Sequence, residues 1–210
     1  MQQLRKFNWL IPVIILVMIG IVLWISPEER TLGTRIKIVY IHVAFVWAGL
    51  IGISLTGLLS SGVFWQPTAK RLQNILPILS LTGVICFVIG FLLSLVAAKV
   101  NWGGIAWTEP RAIAATRIIA VAVIVQILAY YLTDIRIRGG LYIGLLLFTI
   151  WTQANMRDVI HPTNPIFTSD SNSFTIAVLS LFALVMLLAI WFIVLRYQQV
   201  VKAKISLPQG

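Results

Sequence analysis

Apolar residues run along this chain in long unbroken stretches, and polar residues are gathered into the segments between them. Runs almost free of charge cover residues 9–25, 38–60, 72–98, 112–133, 139–156 and 174–195. A helix needs about 20 apolar residues to cross a bilayer, so these runs predict membrane spans. None shows the one-sided polar stripe of a helix lying on a soluble core, as expected where lipid surrounds the bundle. The expected fold is an all-α integral membrane protein: one polytopic domain, residues 1–210, as a six-transmembrane-helix bundle. The first run is read as a span rather than a cleavable signal. It lacks a small-residue cleavage site and is followed by Pro27-Glu28-Glu29-Arg30.

Composition sharpens this picture. Hydrophobic residues make up 60% of the chain and charged residues 10%, with a mean hydropathy of +0.97, which excludes an ordinary soluble domain. The formal charge of +10 would suggest nucleic acid in a soluble protein; here it is first a matter of topology, and no nucleic-acid partner is expected. Arg5, Lys6, Lys70, Arg71, Arg136, Arg138, Arg196, Lys202 and Lys204 fall on one side with only Asp134, a net +8. Arg30, Arg35, Lys37, Lys99, Arg111, Arg117 and Arg157 fall on the other with five acids, a net +2. Basic loops stay inside, so both termini are expected in the cytoplasm. Seven of the eight tryptophans (all but Trp47) lie near predicted span ends, the position of an aromatic belt. The longer connections, 26–37, 99–111 and 157–173, then share the outer face.

The chemistry available is sparse. Cys86 is the single cysteine, so no intramolecular disulfide or Cys cluster is possible, and it reads as a packing residue. The two histidines both come out on the outer side. His42 lies roughly 6 Å below the start of the second run, and His161 sits in the last outer connection between Asp158 and Pro162. Two imidazoles from different segments can supply both axial ligands of a haem iron; each also suits an interfacial histidine with a hydrogen-bond partner. An ionisable group inside a span is a functional candidate by default. Between the third and fourth runs, Trp102, Gly103, Trp107, Glu109 and Arg111 combine indoles, a flexible glycine, a carboxylate and a guanidinium. This segment suits a porphyrin edge or, equally, a tryptophan-anchored interfacial loop. Arg111 and Arg117 are candidate partners for propionates, or snorkelling interfacial arginines. Glu109 is expected to be a solvated loop acid, able to meet Arg111 or an incoming partner.

Three stretches together resemble the cytochrome c maturation protein C (CcmC) family of haem-handling proteins. Arg35-Ile36-Lys37-Ile38-Val39-Tyr40-Ile41-His42-Val43 is similar to the stretch with that family's first ligand histidine. Residues 102–111 resemble its tryptophan-rich signature, and 156–165 take the place of its second ligand loop, with His161 as the matching histidine. Trp102, Gly103 and Arg111 match the signature, and Glu109 stands where the family has Asp. Ala106 and Thr108 occupy two tryptophan positions with Trp107 between them, and Ala44 stands where proline is common. These departures leave both histidines in place and change the surface available to the porphyrin edge. The resemblance implies a transiently held b-type haem with His42 and His161 as axial ligands. It also implies delivery to an outer-face haem chaperone beside ABC-transporter-like subunits, with no enzymatic step in this chain. The expected location is the plasma membrane of a prokaryote in preference to an organellar inner membrane. No P-loop is present. A structural subunit or small-solute permease without haem, and a b-type electron-transfer subunit, are the alternatives from the residues alone.

Overall fold

With lipid outside, backbone polar groups must be satisfied within each segment, so apolar runs of this length fold as helices. The computed structural model describes residues 9–156 and 172–206. These form α1 (Leu10–Ile25), α2 (Ile36–Ser60), the single turn α3 (Gly62–Trp65), α4 (Lys70–Trp102), α5 (Pro110–Tyr131), α6 (Ile135–Ala154) and α7 (Asn172–Ser206), with no strand among the described residues. Five helical segments are long and apolar enough to cross a membrane: α2 with α3, α4, α5, α6 and α7. The first, α1, has 16 residues, or about 24 Å at 1.5 Å per residue, shorter than a hydrocarbon core of about 30 Å.

Helix ends and apolar stretches do not coincide, because helix ends follow capping rather than hydropathy. The third run continues through Lys99, Val100 and Asn101 to Trp102, where Gly103 stops it at φ +78°, a conformation costly to any residue with a Cβ. Asp134 caps α6, accepting the N–H groups of Arg136 at 2.7 Å and Ile137 at 3.4 Å, so this helix begins four residues before Gly139. The last helix extends past Leu195 through the basic segment containing Arg196 and Lys204.

The pair α2–α4 forms the spine. Backbones meet closely at Gly49 and Gly52, where an added Cβ would lie 2.5 Å from the Phe87 nitrogen and 2.6 Å from the Gly83 Cα. Without a hydrophobic drive between helices in lipid, such backbone proximity is how membrane helices gain contact energy. One core cluster joins the spine to α5 and α6 through Ile53, Leu76, Phe87, Ile118 and Leu145. A second joins it to α1 and α7 through Ile15, Ala44, Cys86, Val178 and Leu181. The Cys86 thiol is free and buried, consistent with a packing role. Hydroxyls within the bundle are mostly consumed locally: Thr56, Ser60, Thr82 and Thr149 each donate to the carbonyl four residues back. Gln126 instead donates to the Ser80 hydroxyl at 2.6 Å, tying α5 to α4.

Candidate functional site

The alternation of helices brings six helix termini to one end: the C-termini of α1, α4 and α6 and the N-termini of α2, α5 and α7. Cross-links fix this end. Lys37 Nζ donates to the Trp24 carbonyl at 2.7 Å, and the Tyr40 hydroxyl donates to that of Pro27 at 3.1 Å. Arg35 Nη1 reaches the Val100 carbonyl at 3.4 Å, and Tyr40 meets Phe174 edge to face. The connection from α1 to α2 is braced by Glu29, whose carboxylate accepts the Thr31 hydroxyl and the N–H groups of Leu32 and Thr31. These bonds hold it below the usual carboxylate range.

His42 belongs to this end. It lies six residues into α2, about 9 Å along the axis, on a half-buried face. Its Nδ1 is buried without a hydrogen bond, while the carbonyls of Ile38 and Val39 one turn back lie close enough to act on the ring. The Arg111 guanidinium, from the first turn of α5, is also near enough to act on His42 electrostatically. Two of the residues singled out from sequence thus lie within electrostatic reach of each other.

Trp102 is the last residue of α4, and Trp107 lies in the connection to α5; both indoles are exposed. Glu109 behaves differently from the solvated acid expected. Preceding Pro110, it is held extended (φ −61°, ψ 123°) and becomes the N-cap residue of α5. That turn draws its side chain inward to 8% exposure, where neither carboxylate oxygen has a hydrogen-bond partner. A buried carboxyl without partners is costly and needs a compensating group. At the end of α4, Asn101 donates to the Ala97 carbonyl at 3.0 Å, but its Oδ1 is also buried and unpartnered.

Arg117 lies on another face of α5. Six residues beyond Arg111, it is turned about 120° from it around the axis at 3.6 residues per turn. It opens on a cleft of about 290 Å³ between α5 and α6, lined with Pro110, Ile113, Trp151, Thr152 and Asn155. Neither His42 nor Arg111 borders this cleft. Thr152 is 4% exposed and its hydroxyl has no hydrogen bond. Sequence reasoning singled out Arg117 but missed Asn101, Thr152 and Asn155. The available signal was a cluster of polar side chains, Thr152, Gln153 and Asn155, closing an otherwise apolar run.

The side chains at this end include a set that suits a haem: one imidazole within a span, two exposed indoles and the Arg111 cation within electrostatic reach of the imidazole. Among the described residues no three metal-ligating side chains converge, and bis-imidazole ligation requires only two. His161, the second of these, lies outside the described residues, as do Arg157 and Asp158. No protein-family model matches this chain, and comparison with curated proteins finds no match.

Proposed function

We propose that this chain is a haem-handling membrane protein of the cytochrome c maturation protein C type. In this reading it crosses the plasma membrane of a prokaryote six times, with α1 as the first span and both termini in the cytoplasm. Haem is held at the outer face by His42 and His161. With Nδ1 enclosed by protein beside the carbonyls of its own helix, Nε2 is the ring nitrogen left for iron. Arg111 balances a propionate, and Trp102, Gly103 and Trp107 present the porphyrin edge to a haem chaperone. Bound haem supplies the iron and porphyrin that the partner incorporates; this chain holds, orients and releases it without a reaction of its own. ABC-transporter-like subunits complete the assembly.

The carrying observation is that His42, Asn101 and Glu109 hold buried polar atoms without a hydrogen bond at the end of the bundle that also carries Trp102 and Arg111. The test is the absorption spectrum of detergent-purified, haem-supplemented protein. His42→Ala and His161→Ala should each remove the low-spin bis-imidazole bands, and Arg136→Ala at the opposite end should not. A second reading, a structural subunit without haem, is favoured by the exposure of Trp102 and Trp107, which also suits membrane anchors. Folded wild-type protein that stays colourless establishes that second reading.

A further inference from the structure

The cleft between α5 and α6 contains a cation, the exposed Arg117, that has no partner among the described residues. Arg117 lies seven residues inside α5, about 10 Å along a helix whose surroundings are apolar. It makes neither an ion pair nor a side-chain hydrogen bond among the described residues, and no acidic side chain lines the cleft. A guanidinium at that depth needs an anion or must reach out to the headgroup layer. Across the cleft, Thr152 departs from the pattern of its neighbours. Thr116 and Thr149 donate to the carbonyls of Ala112 and Leu145, four residues back, whereas the buried Thr152 hydroxyl is unspent. Ile113 and the exposed Trp151 supply apolar walls open to the surroundings of the bundle.

We propose that this cleft binds the headgroup of an anionic phospholipid, its phosphodiester on Arg117 and Thr152 and its acyl chains along Ile113 and Trp151. Charge complementarity selects the occupant. Among the described residues the walls carry one cation and no anion, so a headgroup with a net negative charge is favoured over one that has its own ammonium. The guanidinium fork matches phosphate oxygens, and the hydroxyl adds a donor beside it. Apolar surface next to the cation favours a lipid over soluble phosphate. The inference is independent of haem, because the cleft borders neither His42 nor Arg111.

The test is native mass spectrometry of the full chain in detergent, titrated with phosphatidylglycerol, phosphatidylcholine or inorganic phosphate. Wild-type protein should retain one phosphatidylglycerol more tightly than phosphatidylcholine, and inorganic phosphate should not displace it. Arg117→Gln should weaken that retention about tenfold, the scale of one charge-assisted hydrogen bond. Thr152→Val, which keeps the side chain's shape, should weaken it about threefold, the scale of a neutral one. It carries the test if Arg117→Gln does not fold. Arg136→Gln should bind as wild type. Equal retention by wild type and both cleft variants, or equal affinity for the two lipids, overturns the proposal; so does displacement by inorganic phosphate, which would make the ligand a soluble anion. None of these outcomes depends on haem, so failure here leaves the haem proposal standing, and a colourless protein leaves this one standing.

Discussion

The two ends of the bundle differ in how many buried polar atoms are left without a hydrogen bond among the described residues. At the end formed by the start of α4, the start of α6 and the end of α7, polar side chains are largely paired. Asp134 caps α6, Lys204 donates to Asn74 at 2.6 Å, Gln73 donates to the Pro67 carbonyl at 2.8 Å, and among the described residues Arg138 Nε is the one buried side-chain polar atom without a hydrogen bond. At the other end His42, Asn101, Glu109 and Thr152 all hold buried polar atoms with no partner among the described residues. A buried group without a hydrogen bond costs roughly 1–3 kcal/mol. A chain bears that cost most readily where a ligand or partner repays it. On the proposed function the end with unpartnered buried atoms is the binding end, and substitutions at the two ends should therefore fail in different ways.

The largest effect is expected at His42. If its imidazole is an iron ligand, His42→Ala removes the bis-imidazole spectrum altogether while the melting temperature in detergent barely changes. Coincident loss of spectrum and fold would make His42 a packing residue and erase the contrast between the ends. Glu109→Leu sharpens the contrast in the opposite sense. Its side chain makes no capping bond and its carboxyl is buried without a partner, so an apolar side chain of similar size should stabilise the protein by about 1–3 kcal/mol. Haem transfer to a chaperone should fall in the same variant. A destabilised Glu109→Leu protein would mean that the carboxyl is already satisfied.

How much of this arrangement the sequence reveals depends on whether its cause is local. The long apolar helices are legible because each satisfies its own backbone, and Arg117 stands out as a charge inside an apolar run. Glu109 is misread because its burial comes from the pre-proline turn and the packing around it, whereas its sequence neighbours Thr108 and Arg111 suggest water. The ends of α4 and α6 escape a hydropathy reading since Gly103 and Asp134 set them by backbone conformation and capping. The α5–α6 cleft is invisible in either helix alone: Thr152 acquires meaning only when Arg117 is across from it. The electrostatic influence of Arg111 on His42 is likewise tertiary, linking residues 69 positions apart.

At the paired end, Asp134→Ala should show the reverse of Glu109→Leu. Losing the cap of α6 should cost about 1 kcal/mol, within the usual range for N-cap removal. Thermal unfolding would show the loss, and haem binding per folded molecule should stay at the wild-type level. An effect of Asp134→Ala on haem affinity at constant fold would mean that the two ends are coupled through α6.

The smallest effect is expected at the tryptophans. Trp102 and Trp107 are exposed, so replacing them with alanine removes little buried area and should leave stability nearly unchanged. If a porphyrin rests on them, each substitution weakens retention by roughly 0.5–1.5 kcal/mol, the worth of an aromatic contact beyond burial. Iron–imidazole bonds are far stronger, so the low-spin spectrum should persist while haem dissociates faster. Transfer should slow more than binding weakens, because the indoles stand where a partner must approach the porphyrin edge. Measuring the dissociation rate and the transfer rate on the same Trp102→Ala, Trp107→Ala protein separates the two roles. Wild-type values for both would reduce the indoles to membrane anchors, and binding at this end would then rest on His42, Arg111 and the buried polar atoms alone.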